Sequence, residues 1–245
     1  MAKEQETYEG MPVVEATTSY KLNDATRYSW RNNKPPYAVR IPDGRAAVKA
    51  GAFSENDEVG VVLMPDSVRM IGRNAFYDCD KLTKVVLPDS LRVIGVSAFE
   101  DCDELTEIHL PDSVRVIDTK AFYCCDGMTS ITLSESLQVI GESAFEDCSE
   151  LKSIRIPDLV TVIRKKTFSG CESLSQVTLP SALKVIGESA FEGCEKLTAI
   201  RIPDSVEKIE DHAFALCDNL KEIHIKNAAL LEDQDLVEDV RIIQD

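Results

Sequence analysis

LPDSLRVIGVSAFEDCDELTEIH, residues 87–109, is one unit of a repeat that runs through most of the chain. All eight phenylalanines recur every 23 residues, and seven of the eight cysteines follow a phenylalanine by three residues with the same period. The eight full units begin at Ile41, Met64, Leu87, Leu110, Leu133, Ile156, Leu179 and Ile202, and a shorter ninth begins at Ile225. A strict period of this length is the sequence signature of a solenoid.

The apolar residues within the unit fit neither a continuous helix nor an alternating strand. They are Leu87, Leu91, Ile94, Ala98, Phe99, Cys102, Leu105 and Ile108. This spacing predicts a coil that turns several corners and points one residue inward at each, and stacked coils bury what one coil cannot. The run LTEIHL (105–110) predicts a short parallel strand, LRVI (91–94) favours a second short strand on the opposite side, and AFEDC favours a single helical turn.

The repeat divides the chain into three parts. Residues 1–40 form an N-terminal cap or arm that ends in a first strand beginning at Tyr37, residues 41–224 form eight repeats, and residues 225–245 form a truncated repeat and C-terminal cap. The first coil departs from the pattern at Arg45 and Asn56, as a capping unit does. The run VRII (240–243) restores the spacing and predicts a closing strand.

Charge and hydropathy exclude several classes of protein. The 245 residues carry a net charge of −16, so a nucleic-acid binder or an anionic-membrane binder is not expected, because both need a basic face. No run of about 18 apolar residues predicts a membrane span. The N-terminus MAKEQETYEG is polar and acidic, which predicts a cytoplasmic protein, or a secreted one if a leader has been removed.

The run LxxIxLPxxLxxIGxxAFxxC, repeated from residue 64 onward, resembles the BspA-like leucine-rich repeats, the treponemal type with a 23-residue unit. The resemblance covers residues 41–225, about three quarters of the chain. It implies a right-handed leucine-rich-repeat solenoid with short parallel strands on a concave face and mostly turns elsewhere. It also implies binding rather than catalysis, and some members of the family are secreted adhesins.

No residue pattern points to catalysis, a cofactor or a metal. The seven periodic cysteines form one interior ladder, which predicts small, buried, reduced thiols, with Cys124 as the most exposed of the eight. The chain has no CxxC or paired histidines for zinc, and its three histidines are not part of a nucleophile motif. We therefore expect a non-enzymatic protein without a cofactor.

Two surfaces of the repeat carry unequal charge. Positions 14, 15, 17 and 18 of the eight units hold 17 acids and two lysines, a net charge of −15. This acidic ridge indicates either a solubilising surface or a weak site for cations or basic partners. The outward strand positions 20, 21 and 23 carry a net charge of +3 and many Thr and Ser side chains, which suit either a solvated β surface or a binding face.

The binding-face interpretation assigns partner contacts to six of the basic residues at the outward strand positions. These are Lys84, His109, Lys152, Arg155, Arg201 and His224. An alternative site is the aromatic N-terminal segment, with Tyr28, Trp30, Arg31 and Tyr37, although the same segment also suits a simple cap. The leading hypothesis is a protein–protein interaction scaffold whose protein or peptide partner is acidic. A surface adhesin and a subunit of a larger assembly are the alternatives.

Overall fold

The structure, a computed structural model, describes residues 7–16, 36–232 and 234–244. Each 23-residue unit forms one coil of a β-solenoid with nearly no helix, and parallel strands of successive coils line up in two ladders. The predicted fold class is confirmed. The core is one continuous cluster of buried apolar side chains that runs through all coils.

The long ladder contains one strand from each coil and strands from both ends of the chain. The strands are β2 (Met11–Glu15), β3 (Tyr37–Arg40), β5 (Val59–Leu63), β7 (Lys84–Val86), β9 (Glu107–His109), β11 (Ser130–Thr132), β13 (Ser153–Arg155), β15 (Gln176–Thr178), β17 (Ala199–Arg201), β19 (Glu222–His224) and β20 (Arg241–Ile243). Its hydrogen-bonded groups are β2-β3-β5-β7, β9-β11, β13-β15 and β17-β19-β20. The outer face of this ladder is the one that the family resemblance implies to be concave.

The short ladder lies on the other side of each coil and consists of two-residue strands. They are β4 (Ala47–Val48), β6 (Met70–Ile71), β8 (Val93–Ile94), β10 (Val116–Ile117), β12 (Val139–Ile140), β14 (Val162–Ile163), β16 (Val185–Ile186) and β18 (Lys208–Ile209). The first five strands are hydrogen-bonded in one parallel group and the last three in another. The second ladder that LRVI favoured is therefore present.

The phenylalanines form a stack between the ladders. Their rings lie parallel, with centroids 5.2 to 5.7 Å apart from one coil to the next. Backbone hydrogen bonds join the coils at the same corner; the Phe122 N–H, for example, donates to the Ala144 carbonyl at 2.9 Å. Each ring from Phe76 to Phe191 thus packs against two identical neighbours, which accounts for the recurrence of phenylalanine at this corner.

The ladder cysteines have a hydrogen-bonding role as well as a packing role. Each of the seven Sγ atoms lies 3.0 to 3.3 Å from the carbonyl oxygen of the phenylalanine in the preceding coil, as a thiol donor would. All eight thiols are free, and the seven on the ladder are buried, as predicted. The carbonyls of Phe122, Phe145, Phe168 and Phe191 also accept the backbone N–H of the cysteine in their own coil. There the thiol of the next coil satisfies the second lone pair of a buried carbonyl oxygen.

Two residues in each of the eight coils have a left-handed backbone, at positions 11 and 15, on either side of the pair at positions 12 and 13. The AFEDC segment consequently forms successive turns, and the regular helix in the described residues is a four-residue 3-10 segment, Ala228–Leu231. Asp, Asn and Gly tolerate a positive φ better than other residues. Position 15 follows this preference with Asp78, Asp101, Asp147, Gly170 and Gly193.

An N-terminal hairpin that the sequence did not predict extends the solenoid. Strand β1 (Thr7–Tyr8) pairs antiparallel with β2, and Glu9 and Gly10 between them have φ values of 49° and 83°, as in a two-residue hairpin turn. A Cβ at Gly60 in β5 would meet Pro36 and the sulfur of Met11. The hairpin and Pro36 therefore cover the first part of the long-ladder face.

Candidate binding face

Six side chains form an aligned row at position 23 on the outer face of the long ladder, here called the position-23 row. They are His109, Thr132, Arg155, Thr178, Arg201 and His224. Register pairing places Thr132 beside His109, Thr178 beside Arg155, and His224 beside Arg201. The first five are exposed and His224 is partly exposed. The structure thus brings four of the six predicted partner residues into one line.

Neighbouring side chains of the position-23 row contact each other. His109 Nδ1 lies 2.9 Å from Thr132 Oγ1, and Arg201 Nη2 lies 3.2 Å from His224 Nδ1. Arg155 forms an ion pair with Glu135, which lies outside the long ladder and was not among the residues singled out from the sequence. Both side chains of that pair are more than half exposed, so the guanidinium remains accessible to a ligand.

The other two predicted residues flank the row differently. Lys152 is exposed and lies immediately before β13, three residues from Arg155. Lys84, in β7, is held by the N-terminal hairpin: its Nζ lies 2.5 Å from Glu9 and 5.5 Å from the centre of the Tyr8 ring. A cavity of about 590 Å³ opens beside this contact, lined by Tyr8, Val86 and His109 among others. Lys84 is therefore part of the cap as well as of the face.

The alternative N-terminal site receives no support from its one described member. Tyr28, Trp30 and Arg31 lie outside the described residues. Tyr37 is only 5% exposed, because it starts β3 and its N–H donates to the Glu58 carbonyl of the next coil. The side chain of Tyr37 is therefore buried in the first strand and does not form part of an exposed surface in this structure.

The acidic ridge owes part of its composition to the backbone. Asp78, Asp101 and Asp147 occupy the left-handed position 15, where an aspartate is one of the favoured residues. Burial, followed by neighbouring carboxylates, raises the pKa of these aspartates above the usual range. The raised pKa values show that the carboxylates repel one another. In the described residues, no group of three or more His, Cys, Asp or Glu is arranged to hold a metal ion.

Cys124 is the one cysteine that is partly exposed, as the sequence predicted. It lies at position 15 with a φ of 52°, on the ridge side of the coil. Burial raises the pKa of its thiol to about 12. Desolvation also raises the pKa of the ladder thiols, to about 12 at Cys79 and Cys217. None of these thiols has the lowered pKa of a catalytic cysteine.

Comparison with known proteins agrees with the solenoid geometry. Residues 25–152 and 140–234 match the BspA type leucine rich repeat region, in six copies. The chain belongs to the BspA-type leucine-rich repeat family. A leucine-rich repeat protein from Bacteroides ovatus is 28% identical over 85% of this chain, with a TM-score of 0.69. The leucine-rich repeat protein of T. pallidum is 36% identical over 66% of this chain and 78% of its own, with a TM-score of 0.62.

Membership of the BspA-type family fits a repeat scaffold or a surface protein-interaction role, and proteins of this kind are typically non-enzymatic. The chain spans 62% of the Bacteroides ovatus chain, less than two thirds of it. No curated protein sequence is significantly similar to this chain. The described residues contain no helical segment with the length and hydropathy of a membrane span.

Proposed function

We propose that this protein is a non-enzymatic scaffold that binds a protein or peptide partner with acidic groups through the outer face of the long ladder. The observation that carries the proposal is a contrast of charge. A chain with a net charge of −16 presents Arg155, Arg201 and Lys152 on one aligned, exposed strand face. Complementary charge of this kind mainly selects the partner and speeds association.

The chemistry of the face supports an acidic, hydrogen-bonding partner. Thr132 and Thr178 present hydroxyl groups between the basic side chains. Guanidinium groups bind carboxylates with two parallel hydrogen bonds, which gives geometric selectivity as well as attraction. The acidic ridge lies in the turn that precedes each strand of the long ladder. It would repel an acidic partner that binds beside the ladder, and so would favour binding on the ladder itself.

Affinity capture from the source organism, compared between two charge-reversal variants, tests the proposal. The variant Arg155→Glu with Arg201→Glu reverses two charges on the face. Lys184→Glu with Lys208→Glu makes the same charge change beside the short ladder, where both lysines are exposed and paired with glutamates. We expect the first variant to weaken binding of the captured partner by at least about tenfold, and the second to leave binding unchanged.

Both variants need the melting temperature of the wild type for this comparison to be valid. If the folded variant with Arg155→Glu and Arg201→Glu binds the captured partner with wild-type affinity, the long-ladder proposal is wrong. A surface adhesin and an intracellular scaffold would use the same face and differ in compartment. Fractionation of source cells with an antibody against the chain separates these two roles.

A further inference from the structure

The chain has a second period of 46 residues, twice the length of one coil. Residues 133–155 and 179–201 share the run VIGESAFE, followed by Cys148 or Cys194, and both end in Ile-Arg. The coil that follows each of them differs: Arg164 and Glu210 stand where these two coils have Gly141 and Gly187. Alternate coils of the C-terminal half are therefore more alike than adjacent ones.

The long ladder follows the same two-coil period. Its hydrogen-bonded groups from β9 onward are β9-β11, β13-β15 and β17-β19-β20. The first strands of these groups belong to the third, fifth and seventh coils, so a new group begins every second coil. The first strand of each group ends in a basic residue at position 23, namely His109, Arg155 and Arg201. Threonine follows in the next coil twice, as Thr132 and Thr178. Hydrogen bonding and side-chain chemistry thus change together.

Two coils set the distance between successive basic side chains. Successive coils are about 5 Å apart, also where the hydrogen-bonded groups are interrupted, so His109 lies about 10 Å from Arg155, and Arg155 about 10 Å from Arg201, along the row. The phenylalanine stack gives a similar coil repeat, with 5.2 to 5.7 Å between centroids. A ligand that engages all three therefore needs anionic groups about 10 Å apart on one side.

A polyproline II peptide with an acid at every third residue has this spacing. The helix rises about 3.1 Å per residue with three residues per turn, so such acids lie on one edge about 9.3 Å apart. A β-strand places same-side residues only about 6.6 Å apart. The polyproline II backbone has no internal hydrogen bonds. Its carbonyl groups can therefore accept a hydrogen bond from the Thr178 hydroxyl. They can also accept one from the Thr132 hydroxyl when His109 Nδ1 donates to Thr132 Oγ1.

We infer that the position-23 row binds an extended acidic peptide in the polyproline II conformation, with one carboxylate for every two coils. This inference rests on the proposed function and names the register of the partner. Arg155 exchanges its pair with Glu135 for a ligand carboxylate, and an exposed pair of that kind contributes little stability. Lys152, beside Arg155, adds positive charge at the centre of the row.

Two 12-residue peptides of identical composition test the spacing. The first is (Glu-Pro-Pro)4, and the second is (Glu-Pro)4 followed by four prolines, which places its acids about 6.2 Å apart. Fluorescence anisotropy at about 0.1 M salt compares their affinities, because the Debye length of about 10 Å then screens the distant acidic ridge. We expect (Glu-Pro-Pro)4 to bind about threefold more tightly, because its acids can meet three residues of the row. The second peptide can align only its first and fourth acids, about 18.6 Å apart, with His109 and Arg201.

Neutral variants show whether the preference arises at the row. Arg155→Gln with Arg201→Gln should reduce the preference to about one, whereas Lys184→Gln with Lys208→Gln should keep it. Equal binding of both peptides to the wild-type protein overturns the inference and leaves the proposed function standing. A preference that survives Arg155→Gln with Arg201→Gln also overturns it, because the register is then set elsewhere.

Two further outcomes separate the inference from the proposed function. If neither peptide binds but the captured partner still depends on Arg155 and Arg201, the polyproline register is wrong and the long-ladder site is right. If neither peptide binds and the captured partner is indifferent to both arginines, both proposals fail.

A helical peptide with Glu at every seventh residue, about 10.5 Å apart, tests the conformation of the bound peptide. Tighter binding of that peptide would exclude the polyproline II conformation.

Discussion

Within one coil, the corner that holds the phenylalanine and cysteine ladders and the outer face of the long ladder use the repeat differently. At the corner, every coil from residue 64 onward has the same two residues, and their side chains are buried against identical neighbours. On the position-23 row, the residue changes from His to Thr to Arg along the same solenoid. The comparison shows that positions with the same residue in every coil are those that pack in the core. Positions where the residue changes from coil to coil are exposed and free to serve contacts with a partner.

Removal of one ring from the stack should have the largest effect on this comparison. Phe122 is fully buried between Phe99 and Phe145, with both centroid distances at 5.4 Å. We expect Phe122→Ala to lower the free energy of unfolding by about 3 to 5 kcal/mol, because the cavity has no side chain to fill it. Urea denaturation measures the loss.

The matched control is Thr178→Ala on the exposed row, which should change the free energy of unfolding by less than about 0.5 kcal/mol. A loss below about 1 kcal/mol for Phe122→Ala would contradict the description of the stack as the structural spine. Equal losses for the two variants would remove the distinction between corner and face.

The sequence alone predicted the corner and both ladders because each residue there is repeated. Phe122, Cys125 and Ile117 occupy positions whose neighbours in the next coil are the same, so periodicity reports their burial directly. The hairpin at Glu9 and Gly10 lies outside the repeat, and its contact with Lys84 joins residues 75 positions apart. No period predicts such a contact, and only the three-dimensional fold shows it.

The candidate site was predictable in its composition but not in its local contacts. Position 23 faces outward in every coil, so the basic residues could be placed on one face from their spacing. The pairs Lys84–Glu9 and Arg155–Glu135 depend on side-chain rotamers. Exposed ion pairs of this kind contribute only about 0 to 1 kcal/mol, so the sequence carries no clear signal for them. The sequence placed Tyr37 both at the start of a first strand and in the alternative binding segment, and the burial of its side chain supports the first placement.

Thiol reactivity sharpens the contrast between buried corner and exposed surface. The seven ladder cysteines should react with a disulfide reagent only after unfolding, whereas Cys124 should react in the folded protein. With a thiol pKa of about 12, the Cys124 thiolate is scarce at pH 8. The greater nucleophilicity of a high-pKa thiolate recovers part of the loss, so labelling should be roughly fiftyfold slower than for an unperturbed thiol.

The pH dependence of Cys124 labelling checks the direction of the pKa shift. Because the folded pKa is raised, the rate should rise about tenfold per pH unit from pH 8 to 10 without a plateau. In the urea-unfolded chain the rate should level off near pH 9, where an ordinary thiol is ionised. The variant Cys124→Ser should abolish labelling of the folded protein. Rapid labelling of that variant would show that a ladder thiol is accessible.

The smallest expected effect concerns the stability of the face itself. Arg155→Gln with Arg201→Gln removes two charges from the position-23 row, where the Arg155–Glu135 pair has side chains 56% and 62% exposed. Exposed pairs contribute about 0 to 1 kcal/mol, so the free energy of unfolding should change by less than about 1 kcal/mol. The variant makes an acidic chain two charges more negative, and salt at about 0.15 M screens the added repulsion.

Urea denaturation of this variant, measured beside Phe122→Ala, compares the two surfaces by one method. A loss above about 2 kcal/mol would mean that the row supports the solenoid, as the phenylalanine corner does. Its basic residues would then be needed for folding rather than for binding a partner. The contrast between the phenylalanine corner and the position-23 row would no longer hold.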